Sequence, residues 1–228
     1  MGTLIIDYAL PLLGVLVTAL AQWFVTHNYN KYKCVKNQGN LTGAEVASRI
    51  LKKHNINNVK ICEISGELTD HYDPTKKVVN LSHDIHSGTS IASVSVAAHE
   101  CGHVLQDKYN YTFLKFRSML VPIVNFSTKI GYLVVMIGLI FGLIKLAWIG
   151  IILLLAMLLF QLVTLPVEFN ASSRALKELQ EMKLLENYEV DDSKSMLTAA
   201  AFTYVAGMLS TLLQILRLAL TIVGRRDD

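Results

Sequence analysis

Leu146-Ala-Trp-Ile-Gly-Ile-Ile-Leu-Leu-Leu-Ala-Met-Leu-Leu-Phe-Gln-Leu-Val-Thr-Leu-Pro-Val167 is a run of 22 residues with no charged side chain. A helix rises about 1.5 Å per residue, so such a run reaches across the roughly 30 Å hydrocarbon core of a bilayer. Working outward, three more segments follow the same rule. Leu4 to Thr26 carries one charge, Asp7, and Ala199 to Val223 is apolar apart from Arg217. Ile130 to Ile144 is uncharged but short, and extends back through residues 119–129. Four transmembrane helices are therefore predicted, at about 3–27, 119–144, 146–167 and 198–223. Hydrophobic residues make up 52% of the 228 and charged residues 17%; the clustering of the apolar ones, not their total, sets the class. The first segment lacks a basic n-region and a small-residue cleavage site, so it reads as an uncleaved anchor.

Charge orients these spans. Residues 28–118 hold 12 Lys or Arg and residues 168–197 hold four, whereas the turn between the second and third spans has only Lys145. The positive-inside rule then puts both larger loops in the cytoplasm and both termini outside. Arg225 and Arg226 oppose this and Asp227 and Asp228 offset them, so a partly interfacial last helix is the alternative. The net charge of +3 is spread along loops that flank membrane segments and points to the lipid bilayer, not to nucleic acid. Five parts result: residues 1–27 as an N-terminal transmembrane helix, 28–118 as a cytoplasmic α+β region, 119–167 as a transmembrane hairpin, 168–197 as a cytoplasmic helix, and 198–228 as a C-terminal transmembrane helix.

The chemistry lies in the first loop, in Ser90-Ile-Ala-Ser-Val-Ser-Val-Ala-Ala-His-Glu-Cys-Gly-His-Val-Leu-Gln106. Positions i and i+4 of a helix share a face, so His99 and His103 can reach one metal ion. Glu100 stands beside the first of them, where it can take a proton from a water on that metal. This is the H-E-x-x-H arrangement of zinc peptidases. Ala97, Ala98 and Gly102 leave room beside the imidazoles. A metzincin would place Gly and His where this chain has Gln106 and Tyr109, so that subclass is excluded. Asp107 points along the same helix. Glu168 opens a helical run after Pro166 and admits two readings: a third ligand completing a His2Glu site, or an acid favoured by a helix N-terminus.

Taken together, Asp70-His-Tyr-Asp-Pro74, Val78-Val-Asn-Leu-Ser82, Ser95-Val-Ala-Ala-His-Glu-Cys-Gly-His-Val-Leu-Gln106 and Leu165-Pro-Val-Glu-Phe-Asn-Ala-Ser172 resemble the bacterial membrane-bound neutral zinc metallopeptidases of the YugP type. The chain is more distantly similar to the HtpX-type membrane proteases. The resemblance covers nearly the whole sequence. It implies that His99, His103 and Glu168 bind Zn2+, that Glu100 is the catalytic base, and that the protein is a multi-pass protein of the bacterial plasma membrane. One departure stands out. HtpX-like relatives carry, four residues after the ligand glutamate, an aspartate that supports a histidine ligand; this chain has Ser172 there, with Asn170 between.

The fold class expected is a mainly α membrane protein, with about four transmembrane helices and a small α+β cytoplasmic, zincin-like insert. Thr42-Gly-Ala-Glu45 is a capping-box pattern opening a helix to about His54, and Asn55–Asn58 breaks it. Val59–Ser65 and Lys77–Ser82 read as strands joined by a turn at Asp70–Thr75. Lys77–Ser82 is the candidate exposed strand for pairing with an extended substrate, beside the plain reading of an ordinary edge strand. Tyr204, Arg174 and His71 are candidates for stabilising the oxyanion, whereas His83 and His86 read as surface histidines. Cys34, Cys62 and Cys101 lack paired spacing and read as reduced thiols, with Cys101 as packing.

The expected function is zinc-dependent hydrolysis of a polypeptide substrate by a metalloendopeptidase acting at the cytoplasmic membrane surface. Two alternatives belong to other classes. An intramembrane protease of the site-2 type lacks support, because no Leu-Asp-Gly motif occurs and polar Ser87–Ser90 and Asp107–Asn110 flank the motif helix. A non-catalytic adaptor with structural zinc would have no use for Glu100 and would fill the fourth zinc position with protein.

Overall fold

The computed structural model describes residues 8–224. In chain order the elements are α1 (Leu10–Lys33), α2 (Gly43–Lys53), β1 (Lys60–Ile64), β2 (His71–Asp73), β3 (Val78–Ser82), α3 (His83–His86), α4 (Ile91–Lys108), α5 (Thr112–Ile140), α6 (Ile144–Glu181) and α7 (Asn187–Gly224). α1, α5, α6 and α7 are long and apolar enough to cross a membrane. The protein is a mainly α membrane protein carrying a small α+β insert. Its chain divides into two compact units, one of residues 1–22, 112–166 and 202–228, the other of residues 23–111 and 167–201.

The first unit is helical. Its buried apolar cluster comprises Val135 of α5, Ala147, Ile151 and Leu154 of α6, and Ile215 and Ile222 of α7. Most of its other large apolar side chains face outward, Ile123, Phe126, Leu133, Ile152 and Leu159 among them, as lipid-facing positions do. Lipid gives no hydrophobic push between helices, so their contact rests on close packing of small residues. Gly138 illustrates this: a Cβ there would lie 2.8 Å from Cα and Cβ of Ala147. The α5–α6 turn is made at Gly142, whose φ of +66° suits a residue without Cβ, and Leu143 N–H closes it on Gly138 O at 2.8 Å.

The second unit has a core drawn from α1 (Tyr29, Tyr32), α2 (Val46, Ala47, Ile50, Leu51), β3 (Val79, Leu81), α4, the C-terminal part of α6 (Ala175, Leu179) and the N-terminal part of α7 (Met196, Leu197). α2 starts at a capping box: Thr42 Oγ1 accepts from Glu45 N–H, and Glu45 Oε2 accepts from Thr42 N–H. It stops before Asn55, whose left-handed backbone (φ +52°) an asparagine tolerates. α4 is buried around almost its whole circumference, so it is the core helix of this unit. Its N-terminus is capped by Ser90, which accepts from Ser93 N–H at 3.0 Å. Ser95 on α4 meets Ser193 on α7 at 2.7 Å, both fully buried.

Three local expectations are corrected here. Lys77–Ser82 is not an exposed edge: the sheet order is β1-β3-β2, so β3 is central, parallel to β1 and antiparallel to β2. Its backbone is paired on both sides from Val78 to Asn80, and Ser82 N–H is taken by Asp70 Oδ1 at 2.6 Å. A substrate strand therefore has no free ladder on β3. Asp70–Thr75 is also not a simple turn, because His71–Asp73 forms β2; the reversal follows it, where Asp73 Oδ1 accepts from Thr75 and Lys76 N–H. Finally, the segment beginning at Glu168 does not start a helix. α6 runs unbroken from Ile144 to Glu181 through Pro166, a tolerance for proline that membrane helices share.

Candidate metal centre

The centre is built from two helices of the second unit. α4 presents His99 and His103 from adjacent turns, with ring centroids 4.8 Å apart and planes at 87°. α6 presents Glu168. Nε2 of His99 stands 3.4 Å and Nε2 of His103 3.5 Å from the same oxygen, Oε2 of Glu168. One donor atom from each of the three lies within 4.8 Å of the other two. Tetrahedral zinc with arms of about 2.0–2.1 Å needs donor atoms about 3.3–3.4 Å apart. Two imidazoles and a carboxylate at these separations fit a zinc ion with a fourth position left over. Among the described residues this is the group of His, Cys, Asp and Glu side chains so arranged.

The close approach of the helices has a cause in sequence. Gly102, on the same stretch of α4, faces the backbone of Ala171 with no space for a Cβ. Glu168 is 3% exposed, His103 9% and Glu100 7%, so the site is largely withdrawn from bulk water. Burial pushes the His103 pKa down, but the Glu168 carboxylate beside it, the charge of Glu100 and the bond to Gln106 outweigh that and raise it above the ordinary histidine value. The imidazole thus sits in a net negative field, the field that a divalent cation would neutralise.

Each imidazole has a partner behind it. His103 Nδ1 is 3.0 Å from Gln106 Oε1, and His99 Nδ1 is 3.1 Å from Ser172 Oγ. Gln106, fully buried, also donates from Nε2 to Val167 O at 2.7 Å and to Asn170 Oδ1 at 3.1 Å. Gln106 escaped the reading of the sequence; its position one turn past His103, on the same face, is the signal that marks it. Ser172 was marked there only as the place of a missing aspartate.

The remaining candidates have these partners and positions. His71, on β2, has Nδ1 on Thr69 O at 2.8 Å and accepts from Asn80 Nδ2 at 3.1 Å on Nε2. Arg174 donates from Nε to Asn170 Oδ1 at 2.8 Å and lies over the Tyr109 ring at 5.8 Å. Tyr204 belongs to the part of α7 that lies in the other unit. Asp107 accepts from Tyr72 Oη at 2.6 Å and pairs with Lys77, fastening α4 to the sheet. His83 and His86 flank Glu63 at 2.6 and 3.5 Å. The three cysteines are free, and Cys101 is buried, where desolvation raises its thiol pKa far above the usual range.

Known proteins resemble this chain over most of its length. The chain is 42% identical over 208 residues to "Putative membrane protease YugP" of Bacillus subtilis (strain 168), covering 91% of this chain and 92% of that one. No solved structure matches. Residues 8–223 match the family described as "Putative neutral zinc metallopeptidase"; with that match over nearly its full length, the chain belongs to this zinc metallopeptidase family.

Proposed function

We propose that this protein is a gluzincin-type endopeptidase of the membrane, with His99, His103 and Glu168 as zinc ligands and Glu100 as general base, acting on polypeptides at the cytoplasmic surface. One observation carries the reading: Nε2 of His99 and Nε2 of His103 aim at one oxygen of Glu168 from 3.4 and 3.5 Å. Three protein donors are the complement of a catalytic zinc site, whereas a structural site is filled by four. When bound, zinc supplies an acidified water and polarises the scissile carbonyl.

The side chains do the rest. Glu100 follows His99 directly and is not one of the three converging donors. It takes the proton of the attacking water and passes it to the leaving amine. Its burial limits the bulk water that would compete for that proton. Glu168 is the first charged residue after the apolar run of α6, which supports action beside the bilayer. The Lys and Arg excess of residues 28–118 and 168–197 supports the cytoplasmic side.

The test uses two variants of the full-length protein in detergent. Glu100→Gln should keep about one zinc per chain and lose peptide cleavage by about 10²–10⁴-fold, the scale of general-base catalysis. Glu168→Ala should lose the zinc. Cleavage by Glu100→Gln at the parent rate would remove the base from the mechanism, and full zinc retention in Glu168→Ala would remove the ligand.

A further inference from the structure

A glutamine side-chain amide has a carbonyl end and an NH2 end, and Gln106 has no freedom to exchange them. Its Nε2 lies 2.7 Å from Val167 O and 3.1 Å from Asn170 Oδ1. The first partner is a carbonyl and accepts only. The second accepts as well, since Arg174 Nε–H donates to the same Asn170 oxygen at 2.8 Å. Both hydrogens of the Gln106 NH2 are thereby used. Turning the amide over would press its oxygen against two acceptors in a fully buried position, where unmatched polar groups are most costly. Oε1 must therefore face His103 Nδ1, 3.0 Å away. An oxygen accepts, so Nδ1 must carry the hydrogen. In the neutral ring the lone pair is then left on Nε2, the atom 3.5 Å from Glu168 Oε2.

We propose that Gln106 is the positioning residue of the centre, and that the chain Arg174–Asn170–Gln106 fixes His103 in the Nδ1–H tautomer with Nε2 free for the metal before any metal arrives. The proposal rests on the zinc reading given above for what it does, but the tautomer is a property of the metal-free protein. His99 has a looser arrangement. The Ser172 hydroxyl at 3.1 Å rotates and both donates and accepts, so by itself it selects no tautomer. The two ligands of one site are thus held by partners of different strictness. The partner of His103 is a neutral amide where a carboxylate is the more familiar support for a zinc-binding imidazole.

The experiment is 15N NMR of the full-length protein, labelled at histidine, stripped of metal by chelation and held in detergent above the pH at which the imidazole is neutral. His103, identified by its loss in His103→Ala, should show one tautomer, Nδ1–H. Gln106→Met keeps the length of the side chain and removes all three hydrogen bonds; it should mix the tautomers and weaken zinc binding by about 10–100-fold, the range for lost support of a ligand. Asn170→Ala, which touches no ligand, should shift both readouts in the same direction. An Nε2–H tautomer in the parent overturns the proposal without any variant, and so does an unmixed tautomer in folded Gln106→Met, whatever its affinity. Failure of the zinc reading looks different: His103→Ala would hold zinc as the parent does.

Discussion

Gly102 and Ala171 touch backbone to backbone. A Cβ at 102 would overlap the carbonyl oxygen of Ala171 and lie 3.0 Å from its carbonyl carbon and 3.1 Å from its Cα. Ala171 stands one helical turn beyond Glu168, so the contact that lets α4 and α6 meet also sets how far the carboxylate reaches. Gly102→Ala should push the helices apart, at about 1–3 kcal/mol for overpacking, and carry Glu168 off the imidazoles. Thermal unfolding and zinc competition both check this. A variant with the parent melting temperature and zinc affinity would show that the contact has no such role.

Ser172 offers a gain. Its hydroxyl stands where a carboxylate would bear on His99 Nδ1. Ser172→Asp should tighten zinc binding and Ser172→Ala should loosen it, each by about tenfold or more. Equal affinity in all three proteins, measured by chelator competition, would mean that His99 needs no support at Nδ1.

Topology is open to direct labelling. With Cys34, Cys62 and Cys101 replaced, Lys52→Cys and Glu186→Cys place single thiols at exposed positions of the two basic segments. Lys53 is left in place because it bridges Glu178 and Glu181 at 2.8 and 2.9 Å. Both thiols should resist an impermeant maleimide in intact cells and react after permeabilisation. Labelling of intact cells at either site would reverse the charge-based orientation.

The α2 cap predicts an acid dependence. Hydrogen bonds from the Thr42 backbone and side chain hold the Glu45 carboxyl below its ordinary value. A carboxyl lowered on folding stabilises the fold above its unfolded pKa, and that contribution disappears as the pH falls through the folded one. Glu45→Gln should therefore be less stable than the parent near neutrality, with the gap closing below about pH 4. Denaturant unfolding across that range gives the comparison; a gap that does not change with pH would detach the carboxylate from the cap.

Local patterns in the sequence carried the parts that depend on neighbours along the chain. The i, i+4 spacing of His99 and His103, the capping box at Thr42 and the four apolar helices all follow from helical period and length. Strand order does not: whether Val78–Ser82 is central or at an edge depends on β1 and β2 arriving from elsewhere, and a three-residue strand such as His71–Asp73 leaves no alternation to detect. Pro166 reads as a break by local rules, yet α6 passes through it. Local pattern leaves Glu168 open between a metal ligand and a helix-terminal acid, and the family resemblance singles out the ligand. Helical period places Gln106 one turn past His103, but its other hydrogen bonds go to Val167 and Asn170, about sixty residues away, where no local rule reaches.

The two halves of the centre are far apart in the chain: 65 residues separate His103 from Glu168. Bringing the ends of such a loop together costs roughly 4 kcal/mol of chain entropy. It also takes time, since synthesis at about 5–20 residues per second puts roughly 3–13 s between the two residues. A nascent chain that has just completed α4 holds both imidazoles and Glu100 but not the Glu168 carboxylate that faces them. The hairpin of α5 and α6 is what spaces them, so a polypeptide stalled before Glu168 holds His99 and His103 without the carboxylate that faces them.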